Sequence, residues 1–292
     1  MTADRPVAHH LSIDQRVAAV GIALLFVLTL VFYASPWDGG DDWETFHGAA
    51  WRVFKGEPPL YGEPVTHAYY SNPPWLAVIL IPLALLPFRL GWAALAAATM
   101  VMAVVLLHRW ERKASLVKPI LVLLSPPMLY TIMHGQIDVL IVGGVLLPAQ
   151  WWVLIALTKP QVALGLLAGI PRPQWFRAGL LTGLVIIVSL IWFGDWPRAL
   201  VDQPKPFVEA GHNLWRELWP FQIPAGVLLI VVGIQRHDER LLIAGTPFLS
   251  PYAALSSLAG PWIASITWLN DWQAIAVFVS WWGAVVARAV GA

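Results

Sequence analysis

Residues 35–74 open as Ser-Pro-Trp-Asp-Gly-Gly-Asp-Asp-Trp-Glu-Thr-Phe-His (Ser35 to His47) and continue as Gly-Ala-Ala-Trp-Arg-Val-Phe-Lys-Gly-Glu-Pro-Pro-Leu-Tyr (Gly48 to Tyr61). They close on Tyr-Tyr-Ser-Asn-Pro-Pro (Tyr69 to Pro74). This is the longest polar segment in a chain that otherwise reads as membrane. Asp38, Asp41, Asp42 and Glu44 fall within seven positions. Behind them Trp43, Phe46, Ala50 and Phe54 recur at helical spacing, which predicts an amphipathic surface helix. Asp42 precedes that pattern and is expected to cap it, because a carboxylate accepts the free N–H groups of a first turn. The plain reading is a capped helix lying on a membrane. The sharper one is a carboxylate held at the bilayer surface as a catalytic base.

Composition sets the class. The 292 residues are 58% hydrophobic and 12% charged, with mean hydropathy +0.67, which predicts an all-α polytopic membrane protein. Eighteen Trp suit interfacial aromatic belts. A net charge of +1 implies no nucleic-acid partner, and the lack of Cys excludes disulfides and thiolate chemistry. The apolar run 17–35 is too long for the core of a signal peptide, and apolar stretches continue to the end, so it reads as a retained first helix.

Outward from that loop, residues 74–88 are apolar but carry Pro82 and Pro87. At ~1.5 Å per residue they fall short of a ~30 Å membrane core. A basic cluster, His108, Arg109, Arg112, Lys113 and Lys118, follows the next apolar run at 91–107. Positive charge prefers the cytoplasm, so 91–107 crosses and 74–88 is expected to re-enter or lie on the surface. Further spans are expected at 115–133, 137–149, 178–193, 220–234, 241–259 and 272–287. Lys159 and Pro160 interrupt the run 151–170, since Pro breaks a helix, and two half-helices are expected to meet there.

In that topology both termini are cytoplasmic in a multi-pass plasma-membrane protein, forming one transmembrane domain over 1–292. Loops 36–73 and 194–219 are extracytoplasmic. Eleven of the eighteen basic residues fall inside, six outside, and Lys159 within the membrane. The polar features gather on one face: the acidic loop, His134 to Asp138, Lys159, the 194–219 loop with His212 and Asn213, and Ser250 to Tyr252. A Gly-Gln turn or a loop His is ordinarily only that. An ionisable residue inside the membrane is a functional candidate by default, with a structural ion pair to Asp138 as the alternative for Lys159.

Several pieces together resemble glycosyltransferase family 87. They are Asp42-Trp-Glu-Thr-Phe46-His-Gly-Ala49, Gly56-Glu-Pro-Pro-Leu-Tyr61, Asn72-Pro73-Pro74, Pro82-Leu-Ala-Leu-Leu-Pro87, His134-Gly135-Gln136-Ile-Asp138, Lys159-Pro160-Gln161 and Leu249-Ser250-Pro251-Tyr252. They stand in the family's order across residues 35–260. The resemblance implies a mannosyltransferase-like integral membrane enzyme of the type C fold, a bundle of about 8–10 membrane helices with some re-entrant or broken. It implies a polyprenyl-phosphate sugar donor, an extracytoplasmic site and a first-loop Asp as base. By position that Asp is Asp42, with Asp41 the alternate.

The residues suit such chemistry on their own terms. An acceptor hydroxyl must lose a proton as it attacks the anomeric carbon, and one carboxylate serves as base. Attack opposite the leaving phosphate inverts the centre and needs no second carboxylate. Positive charge for the phosphate is expected from Lys159 with Arg52 or His134. Gln136, Asp138, His212, Asn213 and Tyr252 are expected to bind substrate. The expected partners are membrane lipid, the sugar donor and a glycolipid or glycan acceptor. No dense carboxylate–His cage stands in the sequence, so no cofactor is expected and a metal is expected to be dispensable. A transporter or flippase with a midplane site at Lys159 and Asp138, or an inactive membrane scaffold, is the competing expectation.

Overall fold

A computed structural model describes residues 13–34, 39–57, 59–111, 116–204 and 213–291. Asp38, Arg112, Lys113 and His212 lie outside the described residues. The described chain is all helix and connection, without a strand. Among the described residues two helices, Phe88–Trp110 and Arg172–Phe193, are long and apolar enough to cross a membrane. Val117–Leu123 with Pro126–His134 makes a third if a bent pair counts as one span.

Helix α1 (Ile13–Ala34) packs along α4 (Phe88–Trp110), where Phe32 stacks on Trp92 with ring centroids 4.0 Å apart. Between them in sequence run α2 (Asp41–Lys55) and α3 (Pro74–Ala84), which pack on each other. Helix α2 follows from its own sequence. Trp43, Thr45, Phe46, Ala49 and Ala50 form its buried stripe. Asp41, Asp42 and Glu44 occupy the first turn and Arg52 and Lys55 the last, the arrangement that suits the helix dipole. Gly56, at φ +66°, ends it in a left-handed turn. Phe54, counted with the apolar stripe from sequence, stays exposed.

One expectation fails at the start of this helix. Gly40, at φ +91°, occupies the capping position, and Asp42 stands inside the first turn. Its carboxylate is turned to Gln136, in the turn before Asp138, instead.

Helix α3 has 11 residues, about 16 Å at ~1.5 Å per residue, as expected of a segment too short to span. The single span expected at 115–133 is in fact α5 (Val117–Leu123) and α6 (Pro126–His134), bent by 49°. The cause is Pro126-Pro127, which can start a helix but cannot continue one. The span expected at 137–149 is also absent as a continuous helix. Five residues of α7 (Asp138–Val142) give way to a 3-10 turn over Gly143–Leu146.

The interruption at Lys159 stands as expected. Helix α8 (Trp152–Thr158) ends there, and α9 (Pro160–Ala163) begins on the next residue with Pro at its first position. Beyond lie α10 (Trp175–Phe193), α11 (Trp196–Asp202), α12 (Ile223–Arg236), α13 (Glu239–Gly245), α14 (Ala259–Ile266) and α15 (Asp271–Gly291). The run 241–259 is broken between α13 and α14 by two 3-10 turns flanking Ser250 to Ala254, with Pro247 and Pro251 as the interrupting residues.

Candidate functional site

Four chain segments meet where α2 begins. They are the first turn of α2, the turn after α6, the start of α7, and the break between α8 and α9. The contact between the first two depends on Gly135. A Cβ there would lie 2.4 Å from Trp43 Cβ, and its φ is +69°, so only glycine lets the turn sit against α2. The Gly40 N–H donates to Met133 O at 2.9 Å across the same seam. Two tryptophans pin it to α4: Trp43 Nε1 donates to Phe88 O at 3.0 Å, and Trp92 Nε1 to Ile132 O at 2.9 Å.

This approach carries Gln136 to Asp42. Gln136 Nε2 donates to Asp42 Oδ2 at 2.5 Å, and Gln136 Oε1 accepts from Lys159 Nζ at 2.5 Å. Lys159 also pairs with Asp138. Asp138 has no exposed side-chain surface and Lys159 only 8%. The chain Asp42–Gln136–Lys159–Asp138 thus links a half-buried carboxylate on a surface helix to a buried ion pair at a helix break. The amide fixes polarity. Its N–H points at Asp42, which therefore offers a lone pair and not a proton.

Burial pushes the Asp42 carboxyl above the usual carboxylate range, and Asp138 pushes it the same way. Lys159, His134 and the Gln136 hydrogen bond oppose them without cancelling the rise. Asp41 is different. It is more than half exposed and faces His134, with Nδ1 to Oδ2 at 3.6 Å. Tyr130 lies tilted against that His134 with ring centroids 4.1 Å apart.

The other residues expected at the site are placed as follows. Tyr252 lies within the electrostatic reach of Asp42 and Asp138. Asn213 shapes the backbone around it: Nδ2 donates to Pro251 O at 3.1 Å, and Oδ1 accepts from Trp215 N at 3.1 Å and Ala253 N at 3.2 Å. Arg52 stands at the far end of α2. Its guanidinium is engaged by backbone carbonyls, at 3.3 Å to Pro59 O, 2.8 Å to Pro64 O and 3.2 Å to Val65 O. Among the described residues no three His, Asp or Glu side chains gather as a metal site.

Sequence reasoning missed Trp75. Its Nε1 donates to Thr158 Oγ1 at 2.8 Å, so the helix that follows Asn72-Pro73-Pro74 holds the residue before Lys159. It missed Gln203 too, whose Nε2 reaches Tyr70 O at 3.0 Å and Ser71 Oγ at 3.1 Å. An indole directly after a Pro-Pro helix start was the available signal for the first. The second had none.

No curated protein and no solved structure matches the chain. The model of glycosyltransferase family 87 does match, over residues 70–201. That stretch holds Asn72-Pro73-Pro74, Gln136, Asp138 and Lys159, while Asp42 and Tyr252 lie outside it. With the apolar helices, the match supports a membrane glycosyltransferase. Over residues 70–201, then, the chain matches glycosyltransferase family 87, the family that its ordered motifs resemble.

Proposed function

We propose that the protein transfers a sugar, mannose in this reading, from a polyprenyl-phosphate donor to a glycolipid or glycan acceptor on the extracytoplasmic side of the plasma membrane. What supports the reading is one observation above all: Gln136 joins Asp42 to Lys159, although Asp42 lies 94 residues before Gln136 in sequence. A base and a cation for a leaving phosphate thereby stand on one short hydrogen-bonded chain.

In the step itself the acceptor hydroxyl gives its proton to the Asp42 carboxylate. Its oxygen forms a bond to the anomeric carbon from the face opposite the phosphate. The bond from that carbon to the phosphate oxygen breaks, and the electron pair leaves with the polyprenyl phosphate. The anomeric centre inverts. Lys159 and His134 supply positive charge for the phosphate, and Gln136 and Asp138 hold Lys159 in place. The raised affinity of Asp42 for protons suits a base, because proton transfer is favoured when the base's pKa approaches the working pH.

A transporter also uses charged pairs at broken helices, and Lys159 with Asp138 is one. The link from that pair to the Asp42 carboxylate is what favours the transferase reading. Incubation of the purified protein with polyprenyl-phosphate mannose and a panel of lipid and sugar acceptors decides between them. Mannosylated product is expected. Donor movement across a vesicle membrane without any product would favour the transporter.

A further inference from the structure

The tip of Lys159 is held by Gln136 and Asp138. Its base stands at a weak point of the chain. The Lys159 N–H reaches Ile155 O only at 3.4 Å, and Pro160 has no N–H to give. The Lys159 carbonyl accepts from Val162 N at 3.0 Å and Ala163 N at 3.3 Å, which ties it forward to α9 and not back to α8. For a phosphate the base matters. An ammonium has three N–H donors, and Gln136 and Asp138 engage two of them. With those two fixed, the third points where the line of the side chain sends it, and that line starts at the Cα.

Thr158 steadies this base. It is buried, and its Oγ1 donates back to Leu154 O at 2.7 Å while accepting from Trp75 Nε1 at 2.8 Å. Trp75 belongs to α3, 83 residues earlier in sequence. Its ring meets that of Trp196 on α11 edge to face, with centroids 5.5 Å apart. Trp196 Nε1 donates in turn to Ser189 Oγ on α10 at 2.9 Å.

The start of α3 is itself anchored. The Tyr61 hydroxyl donates to Asn72 O at 2.7 Å and the Tyr70 hydroxyl to Pro73 O at 3.0 Å. Gln203 Nε2, just beyond α11, donates to Tyr70 O at 3.0 Å. The two prolines then fix the backbone from which Trp75 projects, with Pro73 at φ −60°. Asn72-Pro73-Pro74-Trp75 is thus a rigid arm that ends on the residue before Lys159.

We propose that Trp75 is a positioning residue for Lys159: through Thr158 it aims the remaining N–H of the lysine at the donor phosphate. The proposal rests on the reading of Lys159 as the cation for that phosphate. It adds a role for the Asn72-to-Trp75 arm, which the chemistry at Asp42 leaves unused.

Binding of two radiolabelled lipids of equal chain length, polyprenyl phosphate and polyprenol, is measured on the full-length protein in detergent. Wild type is expected to prefer the phosphate. Trp75→Phe keeps a ring against Trp196 but has no N–H, and Thr158→Val keeps the shape of Thr but has no hydroxyl. Each should weaken polyprenyl phosphate binding about five- to tenfold and leave polyprenol within about twofold of wild type. The double variant should bind no more weakly than the weaker single one, because both remove the same bond. Thr158→Ser restores the acceptor and should restore the preference for phosphate. Equal weakening of both lipids would show that packing alone was lost, and an unchanged preference in both single variants would show that Lys159 is placed without Trp75. Either result overturns the proposal. A wild type that binds both lipids alike would overturn it too, by removing Lys159 from the phosphate. Failure of the transferase reading looks different: the variants lose the preference as expected, yet wild type transfers no sugar from polyprenyl-phosphate mannose.

Discussion

Asp42 and Asp41 are neighbours in sequence and differ in everything that matters for proton transfer. Asp41 is in solvent beside His134, whereas Asp42 is half-buried, raised in pKa by that burial, and hydrogen-bonded by Gln136. A base must be ionised to work. Transfer should therefore fall as pH drops through the raised pKa of Asp42, at a higher pH than an ordinary Asp near 3.8 would give. The Gln136 hydrogen bond favours the charged form, so Gln136→Leu should move that acid limb to still higher pH. A limb in Gln136→Leu that stays put or moves lower would show that another group titrates. Lys159 carries a different lesson. With Asp138 wholly buried against it, Lys159→Met strands a carboxylate and should cost about 3–5 kcal/mol. Lys159→Met/Asp138→Asn should recover much of that stability in thermal unfolding while donor binding stays weak. Recovery of donor binding as well would mean that the phosphate does not need the lysine.

At the level of elements, the site depends on how closely the α6–α7 turn lies against α2. Gly135→Ala places a methyl on Trp43 and forces a non-glycine residue to φ +69°. It should destabilise by about 1–3 kcal/mol and lower transfer, because Gln136 can no longer reach Asp42. Gly179→Ala is the control. It meets nothing within 4 Å, sits within α10, and should be neutral or slightly stabilising in the same unfolding assay. A harmless Gly135→Ala would show that the seam tolerates more than its geometry allows. The breaks themselves were legible, since Pro160 announces the end of α8 and Pro126-Pro127 a new start, although the second was read through as one span. The seam was not legible. Nothing in local spacing says that Trp43 must rest on Gly135, a contact made only when α2 and α6 are brought together by α4.

Across the whole molecule the chain's charges and its breaks tell one story. Hydrophobic content and the run of spans gave the class, and the ordered motifs gave the family that the match over 70–201 supports. Position in space did not follow from order. Asn213, expected to touch substrate, holds the backbone around Tyr252, and Arg52, expected at the phosphate, holds a loop at the far end of α2. Both are polar residues on the expected face, and sequence alone cannot say which of such groups the backbone will claim. The orientation remains a prediction at this scale. The natural chain has no Cys, so single cysteines report cleanly. A membrane-impermeant thiol reagent on intact cells should label Glu57→Cys and spare Arg172→Cys and Arg236→Cys; the reverse pattern would invert the topology and put the candidate site in the cytoplasm. The central claim, that this fold holds Asp42 as the base, is tested most directly by the rates of sugar transfer from polyprenyl-phosphate mannose by Asp42→Asn and Asp41→Asn. The Asn at 42 keeps the shape of Asp but cannot take up the proton. It should lose about 10²–10⁴-fold in turnover, while Asp41→Asn loses far less. An active Asp42→Asn beside an inactive Asp41→Asn would move the base by one residue, and two fully active variants would contradict the account.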